Sequence, residues 1–261
     1  MAAATVLDVI DVTKRFGAHV ALDAVRFAVR EREVVALLGD NGAGKSTLVK
    51  CIAGIHRPEE GEILLDGSPM HASPSTTARD RGVAIVHQDL ALFDNMSIAE
   101  NMFAGRELCR PRRLGRWGVV DRRAMLDEAR QTLDRLEVRV PNLQTPVGLL
   151  SGGQRQAIAV SKGIAFARRI VVLDEPTAAL GLRERTNVLR LIRQLPANGI
   201  SVVLISHNLE EVMAVADRAV VLRQGKLVGE VAATPDNHET IVSLIVGGRL
   251  PLGTGSASLE G

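Results

Sequence analysis

Residues 34–47 read VVALLGDNGAGKST, and this stretch limits what the chain can become more than any other. Residues 34–38 form a short apolar run suited to a strand buried on both faces. It runs into Gly39, Asp40, Asn41, Gly42, Ala43, Gly44, Lys45, Ser46 and Thr47, a full match to G-x-x-x-x-G-K-[ST]. Glycine backbones turn tightly enough to aim successive N–H groups at one point, which makes a nest for phosphate. Lys45 adds a point charge for β- and γ-phosphates, and the Ser46 hydroxyl is a ligand for Mg²⁺. Residues 47–51 continue as the first turns of a helix whose positive end faces the same anion. A glycine-rich turn with a chance lysine would not place strand, loop and helix onset in this order.

A chain of 261 residues can bury a large core, as one domain with a subdomain or as two lobes. Its 46% apolar and 24% charged residues are ordinary for a soluble globular protein. No apolar stretch approaches the roughly 18 residues that would span a bilayer. The opening MAAATVLD has neither the basic region nor the apolar core of a signal peptide, so a cytoplasmic location is expected. Two cysteines, Cys51 and Cys109, suggest neither a disulfide framework nor a metal site. A net charge of +2 argues against a nucleic-acid partner, which needs a concentrated basic face. Five Phe, one Trp and no Tyr are too few for a platform that stacks bases or sugars.

Before the phosphate strand, residues 5–12 alternate like a half-buried strand, residues 14–17 read as a turn, and residues 21–29 as a second, edge strand. Together they suggest a small antiparallel sheet beside a parallel core. Phe16 has two readings, a core side chain or a ring laid against an adenine base. After the helix, stopped near Gly54, come a strand at 62–65 with a turn at 66–67, then a strand at 82–88 ending in a polar pair. The middle of the chain changes texture. Residues 97–101 carry a capping box, and residues 122–136 have apolar side chains at helical spacing. The Arg- and Gly-rich residues 106–118 read as an exposed elbow, either a solvated loop or a contact for a partner or anionic lipid. A mainly helical subdomain, about 90–165, is therefore expected as an insertion in an α/β core.

The core resumes at 170–176, IVVLDEP, a buried strand with Asp174 and Glu175 at its tip. A helix at 181–195, a strand at 201–205 closed by Ser206 and His207, a helix at 208–216, a hairpin over 219–231 and a helix at 239–246 complete it. Residues 248–261 are expected to be a disordered tail. One of the paired carboxylates suits the Mg²⁺ already touched by Ser46, and the other can orient water at a γ-phosphate. Gln88 and His207, also at strand ends, suit the water or Mg²⁺ shell and a γ-phosphate oxygen. The remaining histidines have no such placement. Ser151, Gly152, Gly153 and Gln154 open another helix, a second set of unpaired N–H groups. A helix in an inserted subdomain does not reach its own nucleotide economically. A head-to-tail pair, each nucleotide lying between the loop of one subunit and the Ser151 helix of the other, solves this.

Residues 39–47, Gln88, 150–154, 171–175 and His207 together resemble the nucleotide-binding subunit of an ATP-binding-cassette transporter over about residues 5–247. The resemblance implies a P-loop NTPase α/β core with a parallel sheet (5–90 and 166–247, including an N-terminal antiparallel β-subdomain) and an inserted helical signature subdomain. It implies an ATPase that uses ATP and Mg²⁺, closes as a homodimer and drives integral membrane permease subunits. By similarity Lys45 grips phosphate, Ser46 and Asp174 organise Mg²⁺, and Glu175 is the catalytic carboxylate. His207 contacts the γ-phosphate, Gln88 links nucleotide state to the membrane domain, residues 151–154 clamp the opposite subunit's ATP, and Phe16 stacks on adenine. Residues 97–108, 176–181 and 206–209 look like those of bacterial importers of monosaccharides such as ribose, xylose or fructose. That narrower likeness implies a peripheral place on the cytoplasmic side of the inner membrane and, indirectly, a periplasmic sugar-binding protein. Other transported substrates, or a soluble relative acting on nucleic acid or ribosomes, are the alternatives. Gly181 stands where the broad family carries Asp, a carboxylate that helps one ATP site sense the other.

Overall fold

Three apolar runs become strands buried along their whole length: β3 (Val34–Leu38), β9 (Ile170–Asp174, up to its last residue) and β10 (Ser201–Ile205). Such runs are stable only with both sheet faces covered, and the layers on either side follow from that demand. The structure, a computed structural model, describes residues 4–70, 81–86, 91–110, 118–178 and 180–247. Its central sheet has the order β12-β11-β3-β10-β9-β6, with β6 at Val83–Val86, β11 at Arg218–Arg223 and β12 at Lys226–Ala232. All neighbours are parallel except β12, which folds back on β11 as an antiparallel edge.

A second sheet, β2-β1-β4-β5, is antiparallel and covers one face. It comprises β1 (Thr5–Phe16), β2 (His19–Arg30), β4 (Glu60–Leu65) and β5 (Ser68–Pro69). Helix α1 (Lys45–Ile52) lies between the two sheets, its Leu48, Val49, Cys51 and Ile52 sharing one core with Leu7, Leu22, Val35 and Leu37. Burial there pushes the Cys51 thiol up to about 11. The opposite face is covered by α4 (Gly152–Phe166) and α5 (Leu182–Gln194), and the β11 end by α6 (Leu209–Val215) and α7 (His238–Val246). A separate apolar cluster joins α2 (Ile98–Phe103), α3 (Arg122–Arg135) and α4 around Phe103, Met102 and Leu133. The expected class, a parallel core with an antiparallel sheet and inserted helices, is the one observed.

One local reading changes. Lys14, Arg15 and Phe16 continue β1 rather than turning, and Phe16 pairs with His19 across a two-residue loop. Glu59 draws this end into the sheet by accepting from Lys14 Nζ at 2.5 Å and from the Arg15 amide at 2.8 Å. Of the strand expected at 82–88, Val83–Val86 forms β6, and residues 87–90 lie outside the described residues. Within and beside the elbow expected at 106–118, β7 (Cys109–Arg110) pairs with β8 (Val119–Val120), and residues 111–117 lie outside the described residues. The expected tail, 248–261, also lies outside the described residues.

Candidate functional site: the carboxyl end of the central sheet

In a parallel sheet with helices on both faces, loops leaving the carboxyl ends of neighbouring strands meet over one edge. Here the register makes that meeting specific. Ile205 of β10 pairs with Leu37 of β3 on one side and with Asp174 of β9 on the other. The loop after β3, the acids closing β9 and the turn after β10 therefore leave the sheet from the same rung.

The loop from β3 is held from outside itself. Gly39 has φ 144, and a Cβ there would lie 2.1 Å from the Leu222 carbonyl oxygen of β11. Gly44, the residue before α1, has φ 106 and would meet the Ala21 oxygen of β2 at 2.7 Å. Only glycine has both the backbone freedom and the missing side chain for these positions. The Gly225 amide donates to the Ala43 carbonyl at 3.0 Å, and the Asp23 amide donates to Gly225 O at 2.8 Å, which closes the brace. Asn41, Gly42 and Ser46 are exposed, Thr47 half-buried and Ala43 buried. That β11 and the 224–225 turn support this loop carries no local sequence signal, because the contact joins residues far apart in the chain.

Lys45 folds back over the loop, its ammonium donating to Gly39 O at 2.6 Å and Asp40 O at 3.0 Å. Burial pulls its pKa below the ordinary lysine value, opposed by the negative fields of Glu175, Asp40 and Asp174. Glu175 lies at φ 49, and its amide donates to Ile205 O at 2.9 Å. Across the gap, His207 Nδ1 lies 3.1 Å from Glu175 Oε1, with the imidazole largely exposed. The structure thus brings Lys45, Asp174, Glu175 and His207 to one place. It places Phe16 elsewhere, at the tip of the β1–β2 hairpin. There Phe16 is 46% exposed, its ring edge-on to His56 at 5.3 Å, with Lys14 Nζ 5.4 Å from its centroid. That exposure removes the core-packing reading. Gln88 lies outside the described residues.

Ser151 is the N-cap of α4 and closes a capping box: its hydroxyl accepts from the Gln154 amide at 3.2 Å, and Gln154 Oε1 accepts from the Ser151 amide at 3.0 Å. Gly153 is pressed against Glu184 of α5, where a Cβ would come within 1.9 Å of Glu184 Cγ, while Gly152 has open space around it. Ser151, Gly153 and Gln154 border a cleft of about 1180 Å³ between α3, α4 and α5, and no residue of 39–47 lines it. Gly181 begins α5 without a side-chain cap.

The donor set suits a magnesium nucleotide. No group of three or more His, Cys, Asp or Glu able to hold a metal occurs among the described residues. Mg²⁺ needs none, since one carboxylate, a hydroxyl, waters and phosphate oxygens complete its octahedron. No helix among the described residues is long and apolar enough to cross a membrane.

A family model described as ABC transporter matches residues 22–178, which takes in the braced loop and both strand-end acids. The chain belongs to the ABC transporter family. It is an ABC-type ATPase. It is 43% identical over 241 residues to a ribose import ATP-binding protein of Rubrobacter xylanophilus, covering 92% of this chain and 47% of that one. A xylose/arabinose import ATP-binding protein of Sulfolobus acidocaldarius is 40% identical, with 92% of this chain and 93% of that one covered. A fructose import ATP-binding protein of Rhizobium meliloti is 44% identical, with 87% and 88% covered. The chain thus spans about half the length of the first relative and most of the other two. Among solved structures, a nucleotide-free ATP-binding cassette from an ABC transporter superposes with a TM-score of 0.80 at 23% identity, covering 93% of this chain and 98% of that one. A dimeric cassette in a post-hydrolysis state, bound to ADP and phosphate, gives 0.72 at 24%, covering 87% and 98%. At these identities both comparisons establish the shared fold.

Proposed function

We propose that this ATPase powers the import of a monosaccharide, as a head-to-tail homodimer docked on integral permease subunits. Its place is the cytoplasmic side of the inner membrane, and a periplasmic sugar-binding protein delivers the substrate. The observation that carries the ATPase chemistry is the shared rung of Leu37, Ile205 and Asp174, which sets the phosphate loop, Glu175 and His207 around one point. The sugar class is supported by the ribose, xylose/arabinose and fructose import proteins to which the chain is similar.

In this reading Gly39, Asn41, Gly42, Ala43, Gly44 and Thr47 offer backbone and hydroxyl donors to the ATP phosphates. The Lys45 ammonium, already seated in the loop, exchanges carbonyl partners for phosphate oxygens. Ser46, Asp174 and Gln88 hold Mg²⁺, which when bound neutralises charge on the β- and γ-phosphates. Glu175 orients the attacking water and takes up its proton. With Nδ1 turned to Glu175, His207 keeps Nε2 for a γ-phosphate oxygen. Phe16 offers an exposed ring to adenine. Ser151, Gly152, Gly153 and Gln154 present the start of α4 to the ATP of the other subunit, where helix-end amides favour an anion. Their position on a cleft apart from the chain's own loop supports that division of labour.

Two measurements test the proposal. Deleting the gene abolishes uptake of a labelled pentose or hexose and leaves amino-acid uptake unchanged; unchanged sugar uptake would refute the substrate class. ATPase activity per subunit falls on dilution, whereas a rate strictly proportional to protein at low concentration would refute the two-subunit site.

A further inference from the structure

Beneath the reacting end of the sheet lies a buried carboxylate to which none of the roles above has been given. Glu211, in the first turn of α6, is 4% exposed. Its Oε2 accepts from the Thr177 hydroxyl at 2.5 Å and from the Ser206 hydroxyl at 3.3 Å. Its Oε1 lies 3.1 Å from Arg185 Nε, an ion pair whose N–H is not aligned as a hydrogen bond.

The three partners belong to three segments that matter. Thr177 is two residues beyond Glu175, Ser206 immediately precedes His207, and Arg185 is in the first turn of α5, which starts after Gly181. The carboxylate is itself fixed. Asn208 caps α6 by accepting from the amides of Glu210 and Glu211, and the Asn208 amide donates to Ser206 Oγ at 3.1 Å. Glu175 also needs such support. At φ 49 it occupies a backbone region that a non-glycine residue keeps only where its surroundings over-determine it. The Glu175 amide bond to Ile205 O restrains one side of that turn, and the Thr177 bond to Glu211 restrains the other.

We propose that Glu211 is a positioning residue, holding the loop of Glu175 and the turn of His207 at a fixed separation and tying both to the start of α5. It acts through those two residues and touches no reactant. The inference rests on the assignment of Glu175 and His207 to hydrolysis made above. A charged carboxylate suits the task because one oxygen accepts from two hydroxyls while the other faces a guanidinium. An amide in its place has a single acceptor oxygen, and its NH₂ would face Arg185.

The test is steady-state ATPase activity, with ATP affinity and melting temperature measured on the same preparations. Glu211→Gln lowers kcat by about tenfold to a hundredfold, the scale of a misplaced reacting group, with ATP affinity unchanged. Thr177→Val, which removes one hydroxyl at nearly constant volume, lowers kcat severalfold, and Thr177→Ser recovers most of that loss. Glu175→Gln is run in parallel. If it keeps the parental rate, the assignment of Glu175 fails. If it is inactive while Glu211→Gln and Thr177→Val stay within about twofold of the parent, the positioning role alone is overturned. Should Glu211→Gln not fold, the Thr177 pair decides. A loss that Thr177→Ser shares, or one that only follows a fall in melting temperature or ATP affinity, also overturns the proposal.

Discussion

The phosphate loop and the start of α4 are both glycine-containing approaches to a helix, and they are built in opposite ways. The loop is braced by its own chain: Gly39 against Leu222, Gly44 against Ala21, and Gly225 holding Ala43. The start of α4 closes locally through the Ser151–Gln154 capping box, with Gly153 pressed on Glu184 of α5, Ser151 and Gly152 exposed, and open space where a Cβ on Gly152 would lie. The first is a nest completed by remote backbone. The second is a finished helix end offered outward. The head-to-tail dimer proposed above would use that difference: its phosphate loop is set before nucleotide arrives, and its helix start stays accessible to a partner.

Four experiments break or sharpen that contrast. The largest effect belongs to Glu175→Gln, which cuts turnover by about 10²–10⁴-fold, the range for loss of a general base, while ATP binding persists and light scattering detects an ATP-dependent dimer. Near-parental turnover would remove Glu175 from the chemistry. Gly39→Ala comes next. Its Cβ would collide with backbone at 2.1 Å and its φ of 144 disfavours any side chain, so overpacking costs about 1–3 kcal/mol and ATP affinity collapses. Gly152→Ala, by contrast, leaves the melting temperature unchanged; equal destabilisation of the two variants in thermal unfolding would erase the distinction drawn here.

Ser151 separates cap from contact. Ser151→Ala loses the N-cap at about 1 kcal/mol, whereas Ser151→Arg stops hydrolysis yet leaves ATP binding by the isolated subunit intact. Parental turnover in Ser151→Arg would place the helix start outside the nucleotide site. The smallest effect concerns the far end of the phosphate strand, where buried Glu33 receives Arg218 Nε at 2.7 Å and the Arg30 amide at 2.7 Å. Burial would raise this carboxyl, but the Arg218 hydrogen bond and the Arg30 amide outweigh it and hold it below the ordinary 4.5. With the folded value depressed, its contribution to stability is complete above that ordinary value and is lost as pH falls through the folded one. The parent therefore loses more stability on acidification from roughly pH 5 to pH 3 than Glu33→Gln does, by thermal unfolding. Parallel curves would show that the pair contributes nothing there.

Much of the fold was legible because its signals are local. A five-residue apolar strand followed by the phosphate loop reads correctly without any knowledge of the rest, as does the capping box at Ser97 that starts α2. What escaped was set by distant partners. Lys14 and Arg15 look like turn residues until Glu59 supplies an acceptor for each, and then they are strand. The nearness of Asp174 and His207 depends on the pairing of β9 with β10 and is invisible in either segment alone. The second constraint on Gly39, the Leu222 oxygen, comes from the other end of the core.

The two thiols differ in a way that makes the chain easy to label. Cys109 is partly accessible in β7 of the short hairpin, whereas Cys51 is fully enclosed in the helix that follows the phosphate loop, its thiol pushed up to about 11. Because alkylation needs an exposed thiolate, a maleimide dye at neutral pH goes to Cys109. Modification of Cys51 reports that α1 has come away from the sheets, so its rate counts the openings of the nucleotide corner.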